Sequence, residues 1–116
     1  MPEAEPDDGW LSLSTDPPER GTEGGVIVLD DVHDLGARIT LETFDGGGGA
    51  ITCGIYEWMM HTRFFDAEAS AREAFAAMKI DMAAILQRIP LKTDPDLDDK
   101  MRASCDEMSA FVDKYP

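Results

Sequence analysis

The segment ITCGIYEWMMHTRFF, residues Ile51 to Phe65, decides the fold prediction for this chain. Its extended, apolar pattern is typical of a sheet core, yet it is longer than a usual strand of about 3 to 10 residues. One alternative is a single strand that bends at Gly54, as a bulge would allow. The other, which we favour, is a pair of strands, Ala50–Ile55 and Trp58–Phe65, joined by a tight turn near Tyr56.

Shorter strand signals precede this segment. Trp10 to Leu13 predicts a short first strand or an arm that packs its tryptophan on the body. Val26 to Leu29 is a continuous apolar run, typical of a strand covered on both faces, and Asp30 to Gly36 follows as a polar turn. Ala37 to Phe44 alternates and predicts another strand, which the glycine-rich residues Asp45 to Gly49 join to the next as a hairpin loop.

After Phe65 the apolar period changes from two to 3.6 residues, which predicts two helices. We expect Asp66 to be the N-cap of the first helix, which runs up to Pro90. The second begins at Thr93 to Pro95, with proline at the first helical position. The expected buried stripes are Ala71, Phe75, Met78, Met82, Ile85, Leu86 and Ile89, then Leu97, Met101, Cys105, Met108, Phe111, Val112 and Tyr115.

Strands followed by helices predict an α+β protein. We expect an antiparallel sheet of four to five strands in the N-terminal two-thirds, with two C-terminal helices packed on one face. The length of 116 residues fits one domain. We expect that domain to span residues 9–116, and Met1 to Asp8 to be a disordered acidic tail, because they are rich in Glu, Asp and Pro.

Charge and cysteine content restrict the function classes. The chain has 24 acidic and 10 basic residues, a formal net charge of −14, which disfavours nucleic acids and anionic membranes because both need clustered Lys and Arg. No apolar run reaches transmembrane length, and the acidic, proline-containing start does not resemble a signal peptide. Two cysteines are too few for a disulfide framework. These features favour a cytoplasmic protein, and the charge favours a basic protein partner.

His61 and Arg63 share one face of the predicted strand, opposite Met60. Glu42 or Glu57 would reach them across the sheet, giving a group in which Arg63 holds an anion and His61 moves a proton. The competing interpretation, which we favour, is a cross-strand ion pair beside a half-buried histidine. A ligand-binding or catalytic role requires a cavity beside His61.

Asp30, Asp31, His33 and Asp34 are the one cluster of metal-ligand residue types in the sequence. Their spacing matches neither a calcium loop nor a zinc motif. An ordinary solvated turn is therefore the favoured interpretation, and we expect no metal and no cofactor.

Two further features argue against catalysis. Cys53 is in strand phase with core positions, where burial disfavours the reactive thiolate. The glycines at 46 to 49 lack the Lys-Ser/Thr that follows in a phosphate-binding loop, and a flexible hairpin tip is the better interpretation. These two features favour a protein without enzymatic activity, with a site at His61 and Arg63 as the catalytic alternative.

Apolar residues are also expected on the sheet face opposite the helices, where Phe44, Met59 and Phe65 are the interface candidates. Such a face is usually buried against another chain, so we expect a homodimer or an obligate partner.

No motif identifies a family. The leading hypothesis is a non-enzymatic interaction module that presents an acidic surface to a basic protein, either immunity-like, by analogy with toxin-neutralising proteins, or an assembly partner. The alternative is a small-molecule-binding protein or enzyme centred on His61 and Arg63.

Overall fold

The computed structural model describes residues 9–13, 19–56, 58–90 and 94–115. The elements, in chain order, are β1 (Trp10–Ser12), β2 (Val26–His33), β3 (Ala37–Thr43), β4 (Gly49–Ile55), β5 (Met59–Phe65), α1 (Glu68–Leu86) and α2 (Leu97–Lys114). The five strands form one antiparallel sheet in the order β1-β2-β3-β4-β5. The α+β prediction is confirmed, while the predicted tail, Met1 to Asp8, lies outside the described residues.

The segment Ile51 to Phe65 forms a hairpin and not one bent strand. β4 and β5 pair from Ile55 opposite Met59 to Gly49 opposite Phe65. In the connecting turn the Trp58 amide donates to the Ile55 carbonyl at 2.9 Å. Loops of three residues are a common hairpin connection, which explains why no Asn-Gly pair is needed here.

The core lies between one sheet face and the two helices. Ile39 and Leu41 of β3 and Ile51 of β4 are fully buried there against α1, whose Met78 and Met82 are also fully buried. The predicted stripe of α1 is confirmed from Ala71 to Leu86, and Ile89 packs partly buried against the same core. Neither helix in the described part of the chain is long and apolar enough to cross a membrane.

The helix boundaries differ from the prediction. The N-cap of α1 is Ala67, with no side-chain capping bond, so Asp66 is not the cap. The helix also ends at Leu86, before Pro90 is reached. α2 begins behind Asp96, which has a φ of 56°. Because Asp tolerates this left-handed conformation, the chain turns once more after Pro95 and the helix starts later than predicted.

The stripe of α2 is buried only in its second half. Met101 and Cys105 are exposed, whereas Ser104 is buried and donates its hydroxyl to the Arg88 carbonyl at 3.5 Å. Arg88 follows the end of α1, and α2 runs antiparallel to that helix. The turns of α2 before Ser104 therefore extend past the end of α1, where Met101 is exposed and Leu97 is half-buried.

The glycine run is not simply a flexible tip. Gly47 and Gly48 have φ values of 100° and 84°, which favour glycine. A Cβ on Gly48 would lie 2.6 Å from the Phe65 carbonyl oxygen, whereas one on Gly46 would meet open space. The end of this run therefore lets the β3–β4 hairpin approach β5 closely.

Candidate functional site

His61 and Arg63 lie on the helix-covered face of the sheet, near its β5 edge, because each pairs with a buried residue of β4. Glu42 pairs with Ala50 and lies on the opposite, open face. The expected group of Glu42, His61 and Arg63 does not form, since successive strand residues point to opposite faces. Glu57, the other expected carboxylate, lies outside the described residues.

Both side chains contact the end of α2 instead. The His61 Nε2 hydrogen-bonds with the Tyr115 carbonyl oxygen, so Nε2 is the donor. The Arg63 guanidinium lies 4.7 Å from the centre of the Phe65 ring and 5.8 Å from that of Tyr115, a cation–π arrangement. The predicted ion pair of His61 or Arg63 with a sheet carboxylate is absent among the described residues.

Tyr115 also joins α2 to α1. Its hydroxyl donates to Asp81 Oδ2 at 2.5 Å, and Lys114 Nζ donates to the same oxygen at 2.9 Å. Burial opposes the charged form of Asp81, but these two hydrogen bonds outweigh it and the pKa of Asp81 lies below its ordinary value. Burial, together with the bond to Asp81, raises the pKa of Tyr115. We call His61, Arg63, Asp81, Lys114 and Tyr115 the Tyr115 cluster; its contacts hold the last turn of α2 in place.

Three surface cavities formed by described residues have volumes of about 550, 400 and 280 Å³. Neither His61 nor Arg63 lines any of them. These cavities therefore provide no recess for a substrate beside His61, which general acid–base catalysis would need.

The predicted polar turn from Asp30 is wrong, because β2 continues to His33 and only residues 34–36 form the turn. Alternation along the strand places Asp30 on the open face and Asp31 and His33 on the helix-covered face. Asp34 is exposed in the turn. No group of three or more His, Cys, Asp or Glu side chains within the described ranges is arranged to hold a metal ion.

The two strand carboxylates are paired with cations. Asp30 accepts two bonds from Arg38, from Nε at 2.9 Å and from Nη2 at 2.5 Å. The hydrogen bond to Asp30 raises the pKa of Arg38 further above its ordinary value. Asp31 pairs with Lys79 of α1, which tethers that helix to the sheet. Asp30 and Asp31 therefore form ion pairs on opposite faces of the sheet.

His33 is buried against Trp10, with ring centres 4.9 Å apart in an edge-on arrangement. Its Nδ1 accepts from the Leu35 amide at 3.0 Å, so the proton of the neutral ring is on Nε2. Nε2 is buried and has no hydrogen-bond partner among the described residues. His33 thus anchors β1 to the sheet.

The open face carries the largest of the three cavities. Thr40 and Thr52 form part of its floor, Arg20 stands on one wall, and Tyr56 and Met60 on the other. Threonine hydroxyls line this face in a row, with the Oγ1 atoms of Thr52 and Thr62 3.3 Å apart. In the sequence of each strand Thr alternates with core residues, which places its hydroxyl on the open face. Only the register of the three strands brings Thr40, Thr52 and Thr62 into one row.

Glu42 organises the loop beside this cavity. It is fully buried (0 % exposed) and accepts from the Gly25 amide at 2.7 Å and the Glu23 amide at 3.2 Å. A Cβ on Gly21 would lie 2.3 Å from Glu42 Oε2, so the loop of residues 19–25 lies directly on this carboxylate. The sequence predicted that Glu42 would reach His61 and Arg63, but Glu42 anchors this loop instead.

The placement of Met59 and Phe65 on the open face is wrong. Both share the helix-covered face with His61 and pack partly buried against the core. Phe44 is half-buried beside Gly25 of the 19–25 loop. A strand residue and its neighbour face opposite ways, so the open face presents Met60 and Phe64 instead, which are 75 % and 60 % exposed.

The predicted core position of Cys53 is confirmed, and Cys105 is exposed. Burial raises the pKa of the Cys53 thiol to about 12, so the nucleophilic thiolate is nearly absent at neutral pH.

In the folded protein we expect a disulfide reagent such as Ellman's reagent to modify one thiol per chain at pH 8, and two in denaturant. Cys105→Ser should remove the native reaction; rapid native modification in that variant would contradict the buried placement.

The fold therefore defines a two-layer α+β protein with a five-stranded antiparallel sheet covered by helices on one face only. Comparison of the chain with protein-family models, with curated proteins and with solved structures gave no significant match.

Proposed function

We propose that this protein is a non-enzymatic interaction module that binds a basic protein through the open face of its sheet and the carboxylates around it. The observation that carries this proposal is the distribution of charge. The described residues form seven ion pairs, each with a different Lys or Arg. The other described cations are Arg20, which donates to the Gly24 carbonyl, and Arg63, which stacks on aromatic rings.

A surplus of carboxylates remains at the surface. The exposed acidic residues outside these ion pairs, within the described ranges, are Glu19, Glu23, Asp34, Asp45, Asp66, Glu73, Asp96, Asp98, Asp106 and Asp113. Complementary charge steers a cationic partner and suppresses wrong ones.

The open face supplies the apolar part of the proposed surface. Leu11, Tyr56, Met60 and Phe64 are exposed large side chains on this face or at its end. Carboxylates stand at both ends of the strands, in the 19–25 loop and in the turns that contain Asp34 and Asp45. An apolar centre with a charged rim is the usual anatomy of a protein interface.

The same exposed side chains favour self-association, and we include a homodimer in the proposal. The two cysteines are unpaired, which fits a reducing, cytoplasmic setting.

A small-molecule site at His61 and Arg63 is less well supported, because those side chains contact Tyr115 and line none of the three cavities.

Two matched charge variants test the proposal. The loop variant combines Glu19→Gln, Glu23→Gln, Asp34→Asn and Asp45→Asn; the helix variant combines Glu73→Gln, Asp98→Asn, Asp106→Asn and Asp113→Asn. Both remove the same charge, but only the first changes the rim of the open face. Each is immobilised and incubated with native lysate at low salt, and captured proteins are identified by mass spectrometry.

We expect the wild type to capture a basic protein whose recovery falls about tenfold with the loop variant and less than threefold with the helix variant. High salt should release it, because screening weakens exposed charge pairs. Recovery of no basic protein at low salt, or equal losses with both variants, would contradict the proposal.

A further inference from the structure

We infer that strand β5 pairs antiparallel with β5 of a second copy of this chain, with the two-fold axis at Thr62. This inference gives a location and a register to the self-association included in the proposed function. It does not depend on the acidic rim or on a basic partner.

The first observation is that β5 is an uncovered edge. It is the last strand of the sheet, seven residues long, and pairs only with β4 among the described strands. No backbone hydrogen bond from Met59–Phe65 to any other described segment is present. An edge strand of this length presents a row of outward N–H and C=O groups that another strand can satisfy. β1, at the opposite edge, has only three residues.

The second observation is self-complementarity. When two copies of Met59–Phe65 run antiparallel about Thr62, all seven residues of each strand are paired. Met60 of one copy then stands opposite Phe64 of the other on the open face, twice by symmetry. These are two of the most exposed apolar side chains of the described residues, and cross-strand neighbours of this kind stabilise one another. A contact in which the same patch meets itself is the isologous form that closes as a dimer.

The third observation is local charge. Strand β5 contains no acidic residue, although the chain has 24. Its charged side chain, Arg63, would stand opposite His61 of the other copy and not opposite itself. Two copies can therefore pair along this edge without placing carboxylates of the two strands opposite each other. The inward-pointing Arg63 of this edge is stacked on the Phe65 and Tyr115 rings, and the open face of the edge carries Met60, Thr62 and Phe64, with no charged residue or Pro that would oppose pairing there.

A single strand edge is smaller than a standard interface of about 1,600 Å², so the dimer should form at micromolar concentrations and dissociate on dilution. Two copies of net charge −14 repel one another. Added salt should therefore strengthen the dimer, because it screens that repulsion. Binding of a basic protein responds to salt in the opposite direction, so the two proposals can fail separately.

The experiment is sedimentation velocity of the full chain over a concentration series at roughly 50 mM and roughly 500 mM salt. We expect a monomer–dimer equilibrium that Phe64→Lys and Met60→Lys each weaken at least tenfold. Ile80→Lys is the matched control, because Ile80 is 71 % exposed on α1, away from β5; it should leave the equilibrium unchanged. Circular dichroism confirms the fold of each variant.

Cross-linking tests the register. In a Cys105→Ser background, Thr62→Cys should give a covalent dimer on mild oxidation, and Ile80→Cys should not. A wild type that stays monomeric at every concentration and salt level would overturn the inference. So would a dimer that tolerates both lysine substitutions on β5, or equal cross-linking at positions 62 and 80.

Discussion

Tyr115→Ala is expected to lower the free energy of unfolding by about 3 kcal/mol, within the range for removing a buried aromatic ring. The ring is buried at the end of α2, where it packs against the Phe111 ring at 5.0 Å between ring centres and a tilt of 53° between the ring planes. The substitution also removes the hydroxyl bond to Asp81 and the ring beneath Arg63. Urea unfolding followed by circular dichroism measures the loss.

Tyr115→Phe separates the hydroxyl from the ring. It keeps the packing and the backbone carbonyl that bonds His61, so we expect a loss of about 1.5 kcal/mol, the lower end of the usual range for a hydrogen bond to a charged group. If both variants lose the same amount, the hydroxyl and not the packing holds the helix end. If neither loses stability, the last turn of α2 is not anchored as described.

The contribution of the Tyr115 hydroxyl to the free energy of unfolding should depend on pH. The pKa of Asp81 is lowered in the folded state, so its contribution is present above the ordinary Asp pKa and is lost as pH falls through the folded value. The pKa of Tyr115 is raised, so its contribution is present below the ordinary Tyr pKa and is lost as pH rises through the folded value. The stability difference between wild type and Tyr115→Phe should therefore be largest between roughly pH 4 and pH 10 and shrink outside that window.

Glu42→Ala is expected to cost about 3 kcal/mol. The substitution leaves the Gly25 and Glu23 amides without their acceptor and opens a cavity beneath the 19–25 loop. An unpaired buried donor costs about 1 to 3 kcal/mol, and the cavity adds to this. The loop should also become more sensitive to proteolysis, since its backbone is released from the sheet.

Glu73→Ala is the control, because Glu73 is an exposed carboxylate of α1 with no ion-pair partner among the described residues. It should change stability by less than about 0.5 kcal/mol. Glu42→Gln keeps the shape and one acceptor oxygen and should fall between the two. Equal stabilities of Glu42→Ala and Glu73→Ala would show that the buried carboxylate does not hold the loop.

Strand and helix patterns in the sequence predicted the layers of the fold well, because each pattern reports local geometry. The 3.6-residue period found the buried side of α1, from Ala71 to Leu86. The same method failed on the first half of α2, where Met101 and Cys105 are exposed. Periodicity shows which side of a helix is apolar, but not where the supporting layer ends.

The candidate site was predicted less well for a related reason. Alternation in β5 correctly placed His61 and Arg63 together and Met60 opposite them. It could not show which of these two faces the helices cover. That choice depends on the register with β4, which the turn between Ile55 and Met59 sets, and a shift by one residue exchanges the faces.

The sequence by itself determined the order of strands and helices, the acidic surplus and the buried position of Cys53, since periodicity and composition are properties of neighbouring residues. Only the tertiary structure decided that His61 contacts Tyr115, that Glu42 anchors a loop, and that Met60 and Phe64 face outward along an edge strand. The two contacts join residues at least 17 positions apart, and the outward orientation of Met60 and Phe64 depends on strand register. Such contacts are set by the packing of the layers, which no local pattern specifies.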